Sequence, residues 1–508
     1  MPPDPIRTVD ALIARGSGPA LGAPGRPDLD YAGLARQIER SAGQLAGLGL
    51  GPGDNLAIVL PNGPEMASVF LAVASCAVAA PLNPSYTEDE YAFYMEDLGA
   101  KALIAMAGLD SPARAAAARL GTPVIEVAAA EGDPAGAVAL TRRGAPIPET
   151  AARRNGPEDV ALVLHTSGTT SRPKIVPLTA RNVTASAFHI AETLRLAPGD
   201  RCLNIMPLFH IHGLIAAVLS TMAAGAFISC TPGFDAMKMF GWMGAVKPTW
   251  YTAVPTMHQA ILTRAARNAE TIAATPLRFI RSSSASLPTP VFHALEETFG
   301  CPVIEAYGMT EASHQMASNQ LPPGLRKPGA VGAAAGPEVA IFTAEGAAVP
   351  QGDPGEICIR GENVTPGYRD NPKANAESFR DGWFRTGDEG VMDADGFIRI
   401  TGRLKEMINR GGEKVAPREV DDVLVEHPAV AQAVTFALPH DKLGEEVAAA
   451  IVLKQGEAAT ARELREHCLE KLAAFKAPRE IVFLDEIPKG ATGKLQRIGL
   501  AQKLGLTS

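Results

Sequence analysis

The order of apolar and polar positions divides the chain into three stretches of different rhythm. From about residue 30 to 330, apolar helix-like segments alternate with short β-rich runs, among them 55–60, 102–105, 123–127 and 277–281. Alternation on that scale predicts layered α/β structure with mostly parallel strands. From about 329 to 402 the rhythm shortens. Runs at 356–360, 390–392 and 397–401 are separated by DPG and DADG turn signals, which predicts a β-rich subdomain. After Arg403 the pattern restarts as a separate α+β unit of about 100 residues, an ordinary domain size. There Pro417 can open a helix ending near His427 and Pro428, and strand candidates follow at 431–437 and 447–453. Thr460 and Glu463 make a possible capping box ahead of Leu464, Cys468, Leu472 and Phe475 on one helical face. Two longer apolar stretches, 66–82 and 211–230, approach the minimum length for a membrane span. Ser68, Ser75 and Pro81 interrupt the first, and His212, Gly213, Ser220 and Thr221 the second, so both are expected to be buried core helices.

Composition narrows the class. A chain of 508 residues predicts roughly two to four domains, and 46% hydrophobic with 20% charged residues is ordinary for a folded globular protein. A net charge of -8 argues against a nucleic-acid partner, which would require a clustered basic face. The six cysteines lie far apart and form no CxxC pair, so buried thiols in a reducing compartment are expected rather than disulfides or a zinc module. The N-terminal MPPDPIRTVDALIARG has no apolar signal core and the terminal LTS is no peroxisomal address, which makes the cytoplasm the expected location.

Candidate chemistry begins at TSGTTSRPK, from Thr166 to Lys174. Glycine allows close backbone approach, successive N–H groups can line an anion-binding concavity, and hydroxyls and a lysine add donors, so the loop should wrap the phosphates of a nucleoside triphosphate. The common GxxxxGK[ST] loop fails here, because Pro173 stands five residues after Gly168 and opposes a following helix. Further on, Glu305 to Glu311 offer an aromatic face, a hydroxyl and a carboxylate suited to magnesium. The run Gly382 to Asp388 supplies an acid in a tight turn, suited to ribose hydroxyls. Arg403, Lys405 and, on a glycine-flanked loop, Lys494 complete the order. Taken singly, Asp388 reads as a turn residue, Glu311 as a helix-start carboxylate and Lys494 as a solvated charge.

Taken together, these clusters resemble the adenylate-forming superfamily of acyl-CoA synthetases, luciferases and carrier-loading adenylation domains, over about residues 30–497. The resemblance implies an N-terminal domain over 1–403 and a mobile C-terminal domain over 404–508 hinged to it. It also implies ATP, Mg2+ and coenzyme A as reactants and cofactor, an acyl-AMP intermediate, and transfer of the acyl group to a thiol. By position, it assigns Thr166, Ser167, Gly168, Thr169, Thr170 and Lys174 to the phosphates. Ala285, Glu305 and Ala306 join the ATP site, with Tyr307 stacked near adenine, Thr310 at the α-phosphate and Glu311 at magnesium. Asp388 and Arg403 hold the ribose, Lys405 is the hinge, Lys494 serves adenylation, and the loop Arg410, Gly411 and Gly412 serves the CoA step. The catalytic set is then Lys494, Glu311, His210 and Thr170. With Lys494, Glu311 and Lys405 all present, a non-catalytic adenylate-binding protein is the weaker expectation. So is a carrier-loading module, since the chain ends at residue 508 without a fused domain.

Within that superfamily, PLFHIHG at 207–213, WYTAVPT at 250–256, RSSSASL at 281–287 and MTEASH at 309–314 are most similar to oxalate–CoA ligases of plants and fungi. Ser171 stands where most relatives have glycine, Gly308 where alanine is expected and Ser283 where cysteine is expected, the last two beside the acyl pocket. The resemblance places His210, Ser284 and His314 around a small diacid. A second carboxylate cannot be buried without donors, and imidazoles and a hydroxyl supply them where a fatty-acid enzyme would use apolar residues. The bland alternatives are that His314 ends a helix turn and that His210 packs as a gate over the nucleotide. His210-x-His212 also has the look of a metal pair, but the local sequence offers no third ligand. Oxalate is the expected acid, with malonate or another short- or medium-chain acid as runner-up. The expected partners are these small molecules, with no nucleic acid and no membrane. A lysine acetyltransferase acting on Lys494 is a possible regulator, since acylation removes its charge.

Overall fold

The computed structural model describes residues 6–130, 132–166, 173–488 and 497–506. Two sheets form the N-terminal body. The nine-stranded sheet runs parallel through 19–22, 227–230, 201–204, 250–253, 279–282 and 303–309, and turns antiparallel at its edges. The eight-stranded sheet is parallel through 160–166, 78–81, 55–59, 102–106 and 124–128, again with antiparallel edges. Sheets of this kind are buried on both faces, which is why their strands read as nearly continuous apolar runs. One large core joins the sheets, with Phe70, Leu71, Leu214, Leu219, Trp250 and Phe279 among its members.

Both long apolar stretches are divided rather than continuous. The first forms the fully buried helix Pro64–Ala74 and then the strand Val78–Pro81. The Ser75 hydroxyl turns back onto the Leu71 carbonyl at 2.7 Å, and Pro81, which has no N–H to continue a helix, sits in the strand. The second forms a wide-turn π-helix, His212–Leu219, a single α-helical turn, Ser220–Ala223, and the strand Phe227–Cys230. Gly225, at φ +64°, ends the helical part. Length and apolarity cannot separate a buried helix from a buried helix followed by a strand. Among the described residues no helix is long and apolar enough to cross a membrane.

The β-rich subdomain is a five-stranded sheet of 338–342, 355–360, 379–380, 383–392 and 398–403. The C-terminal unit has its own five-stranded sheet, with 444–453 flanked by 408–410, 430–440 and 480–483. Helices Pro417–Glu426 and Ala461–Lys471 bury Val420, Leu424, Leu464 and Cys468 against Val447 and Ile451. The capping box at Thr460 and Glu463 is present with both reciprocal bonds. The helix stops at Lys471, earlier than the four-residue face suggested, but Leu472 and Phe475 still pack against the same core. The two units meet where the Arg418 guanidinium donates to the Ser286 hydroxyl. A cleft of about 520 Å³ beside that contact is lined by Pro288, Lys327, Phe397, Asp422 and Glu426.

Candidate active site

Several expected site residues of the N-terminal body, among them Ser284, Ala285, Thr310 and Glu311, follow the carboxyl end of a parallel strand, and Asp388 and Arg403 lie in the adjoining subdomain. Crevices outside the carboxyl ends of parallel strands are where α/β sheets bind ligands, because the connecting loops converge there. Thr166 ends the strand Val160–Thr166 and pairs directly with Lys174, the first residue of the antiparallel strand Lys174–Thr179. Lys174 therefore opens a strand rather than a helix, as Pro173 implied. Ser167, Gly168, Thr169 and Thr170 lie outside the described residues, as does Lys494.

Lys174 sits over the ring of Tyr368, its Nζ 4.3 Å from the centroid, and the Tyr368 hydroxyl donates to Glu311 Oε1 at 2.9 Å. Glu311 lies in a short 3₁₀ turn, Thr310–Ala312, that follows the strand Val303–Met309. Burial raises its carboxyl pKa, while Tyr368, Arg403 and Lys174 pull it down. The Lys174 ammonium is lowered by burial first and by Lys405 second, with Glu311 opposing both. Lys174 and the buried Glu311 carboxylate thus flank one ring, with the exposed Lys405 near enough to act on the lysine's charge. Magnesium is held by one or two carboxylates together with substrate phosphates, and triphosphate oxygens would satisfy both lysines, so the donor set suits MgATP. Sequence reading missed Tyr368; its only local signal is an aromatic residue after Pro366 and Gly367.

Asp388 is not in a tight turn. It lies within the ten-residue strand Trp383–Met392, in a bulge where residues 386–388 stand opposite Ile357 alone. Gly387, at φ +74°, supplies the left-handed conformation that such a bulge uses. The bulge turns Asp388 toward Arg403, its register partner on the next strand, whose Nε donates to Oδ1 at 2.9 Å. The Tyr307 hydroxyl donates to the other oxygen. Tyr307 is therefore fixed by Asp388 at its hydroxyl, and burial with that carboxylate raises its phenol pKa. Glu305 is buried, accepts the Gly329 N–H at 3.1 Å, and has its carboxyl pushed up to about 8 by burial. The Ala306 carbonyl accepts the Ser283 hydroxyl at 2.8 Å, and Ala285 is exposed on the loop between them.

The three expected acid-site residues surround a fourth. His212, fully buried at the start of the π-helix, has Nδ1 3.0 Å from Ser284 Oγ and Nε2 2.6 Å from Thr252 Oγ1. Its ring centroid is 4.9 Å from that of His314. Half-buried His210 accepts the His212 backbone N–H at Nδ1, 3.3 Å away. His314 ends no helix turn; it opens the strand His314–Ser318 at φ +96°, and Ser284 is also left-handed at φ +73°. Such backbone values in non-glycine residues cluster at functional sites. Gly308 explains part of this geometry, because a Cβ there would lie 1.8 Å from the His314 carbonyl oxygen. In the sequence His212 reads as a break in an apolar stretch or half of a metal pair, and Thr252 stands out only within WYTAVPT.

Lys405 is exposed in the turn after the strand Ile398–Arg403. Arg410 ends the strand Ile408–Arg410, and Gly411 and Gly412 form the two-residue connection to the strand Glu413–Val415. Both glycines have positive φ, +62° and +98°, as the tight hairpin turn demands. Arg410 pairs with Glu446 at 2.5 Å. Arg497 fastens the far side of this region, with Asp421 at 2.5 Å, Glu406 at 3.4 Å and the Thr435 carbonyl at 3.0 Å.

The chain is 44% identical to the oxalate–CoA ligase of Arabidopsis thaliana over 488 residues, 95% of each protein. It is 42% identical to the oxalate–CoA ligase of Saccharomyces cerevisiae over 481 residues, 90% of this chain and 88% of that one. The o-succinylbenzoate CoA synthetase of Bacillus subtilis, solved with ATP and a magnesium ion, superposes with a TM-score of 0.81 at 29% identity, covering 97% of this chain and 98% of that one. The AMP-binding enzyme C-terminal domain matches residues 419–494. With the AMP-binding enzyme description itself matching residues 15–369, which hold the TSGTTSRPK motif, the Glu311 turn and the histidine cluster, the chain belongs to the AMP-binding enzyme family.

Proposed function

We propose that this AMP-forming acid–CoA ligase takes oxalate as its acid, converting oxalate, ATP and CoA to oxalyl-CoA, AMP and diphosphate. The observation that carries the choice of acid is the polar cluster of His212, Ser284, Thr252 and His314 at the end of the nine-stranded sheet. A hydrocarbon tail entering there would bury polar groups against carbon, whereas a second carboxylate meets donors. The two relatives whose names give oxalate as their acid support the same reading.

His210, Ser284 and His314 contact the acid. Thr166 to Thr170 and Lys174 hold the triphosphate, Thr310 the α-phosphate, and Asp388 and Arg403 the ribose, with Ala285, Glu305, Ala306 and Tyr307 around the base. Glu311 would hold Mg2+, which when bound neutralises charge on the phosphate oxygens. Oxalate is ionised at neutral pH, so adenylation needs alignment and charge neutralisation rather than a general base. A carboxylate oxygen bonds to the α-phosphorus as the bond to diphosphate breaks, with Lys494 offsetting the negative charge. The CoA thiolate then adds to the acyl carbon and AMP leaves. Domains 1–403 and 404–508 turn about Lys405 between the steps, exchanging Lys494 for the Arg410 to Gly412 hairpin. Acetylation of Lys494 by a lysine acetyltransferase would silence the first step. Six buried free thiols suit the cytoplasm.

A coupled AMP-release assay across oxalate, malonate, acetate, glyoxylate and hexanoate tests the acid. Oxalate should give the highest kcat/KM, and faster turnover of any monoacid overturns the choice. Folded Lys494→Ala protein should lose ATP–pyrophosphate exchange; undiminished exchange would remove that lysine from the first step.

A further inference from the structure

One charge in the molecule has no role above and no obvious reason to be where it is. Arg281, on the strand Phe279–Ser282, is fully buried. A guanidinium carries five N–H donors, and burying one ordinarily calls for carboxylates. Among the described residues Arg281 forms no ion pair. Its Nη2 reaches Gln315 Oε1 at 3.3 Å, while Nε and Nη1 have no hydrogen-bond acceptor. Gln315 is itself fully used, since its amide donates to Thr193 Oγ1 and to the Ala335 carbonyl, both at 3.1 Å. Burial pushes the guanidinium down to about 9, which leaves it charged at neutral pH.

The position of this charge is informative. In the parallel sheet Arg281 lies level with Thr252 on one side and Ile304 on the other. Residues in register stand on the same face of a sheet. Thr252 anchors His212 Nε2 at 2.6 Å, and Gln315 directly follows His314. The cation therefore stands behind both imidazoles, beside the anchor of one and one residue from the other through its amide partner. In a water-poor interior an uncompensated charge acts over longer distances than at a surface. A cation kept for the fold alone would be better paired or replaced by an apolar side chain of similar volume.

We propose that Arg281 is a positioning residue that sets the acid site's preference for a doubly charged substrate, holding the His212 and His314 side of the pocket electropositive. The inference rests on the oxalate reading and deepens it. Arg281 does not touch the acid; it acts through Thr252 and Gln315 and through its field, so a monoanion of the same size gains less from it than a dianion does.

The test compares oxalate with glyoxylate, which replaces one carboxylate by an aldehyde. In Arg281→Met, kcat/KM for oxalate should fall about tenfold, mostly through KM, while glyoxylate changes less than about twofold and the KM for ATP stays put. The melting temperature should hold level or rise. Arg281→Lys, which keeps the charge, should retain the oxalate-to-glyoxylate ratio within about threefold of the parent. Should Arg281→Met not fold, Arg281→Gln gives the same reading with a donor toward Gln315 retained. Equal loss on both acids, or an unchanged ratio, overturns the inference while oxalate remains the substrate. A parent enzyme that prefers glyoxylate overturns the oxalate reading as well, and the parent's own acid panel separates the two failures.

Discussion

Two guanidiniums, Arg281 fully buried and Arg497 mostly so, mark the two halves of this molecule, and they are kept in opposite ways. In the C-terminal unit burial alone would lower the pKa of Arg497, but Asp421 and then Glu406 outweigh it, and the group ends above its ordinary value. In the nine-stranded sheet Arg281 has a single amide oxygen, and burial lowers it unopposed. The same side chain thus serves as a structural rivet where carboxylates surround it and as a standing field where they do not. The tail side of the enzyme invests its charges in its own cohesion; the sheet side leaves one open toward a substrate.

The sharpest way to break that contrast is to remove a carboxylate from the tail side. Asp421→Asn leaves the mostly buried Arg497 with Glu406 at 3.4 Å, the Thr435 carbonyl and the charge of Asp422, and breaking such a pair from one side costs up to about 3–5 kcal/mol. The denaturation midpoint of the C-terminal unit should fall accordingly, opposite in direction to Arg281→Met. Equal and opposite-free behaviour, with both variants losing stability alike, would mean that pairing does not distinguish the two arginines.

A smaller effect is expected from filling space on the sheet side. In Gly308→Ala the new Cβ meets the His314 backbone at 1.8 Å, so the strand pair must shift and carry the imidazole with it. Displacements near 1 Å can cost about a hundredfold, and a partly relaxed shift should cost about tenfold in kcat/KM for the acid with little change for ATP. Gly51, where a Cβ meets nothing within 4 Å, is the control and should tolerate alanine. Loss of ATP affinity in Gly308→Ala would place the strain at the nucleotide rather than the acid.

The smallest effect concerns the seam between the halves. Burial, more than the Gly329 N–H and Arg418 can offset, holds the Glu305 carboxyl at about 8. Such a group contributes its full stability below the ordinary value of 4.5 and loses it as pH climbs through about 8, because the folded chain must then ionise it at a cost the unfolded chain does not bear. Glu305→Gln cannot ionise and should melt several degrees above the parent at pH 9, with the gap closing toward pH 5. A gap independent of pH would assign the difference to packing.

Much of this was readable in the chain. Period and turn chemistry located the strands at 55–59, 102–106 and 355–360 and the capping box at Thr460, because those are local properties. The absence of a helix at Lys174 followed from Pro173, whereas its pairing with Thr166 did not. What sequence could not show depends on which strands lie side by side. His212 meets Thr252 and Ser284 across separations of 40 and 72 residues, and Tyr368 reaches Glu311 across 57. The isolation of Arg281 is a statement about neighbours that lack carboxylates, and no spacing rule reports that. The two divided apolar stretches were misread for a related reason: once every position is buried, periodicity carries no information about helix against strand.

Arg497 has one more implication. It clips the segment just beyond Lys494 both to Glu406, beside Lys405, and to Asp421 on the helix Pro417–Glu426. In the proposed turn about Lys405 the tail would then act as a crank with a single bearing, its bearing and arm being one part. An engineer grafting a foreign tail onto this acid site should cut ahead of Leu404, since a junction placed after Glu406 would transplant the arm and leave half its clip behind.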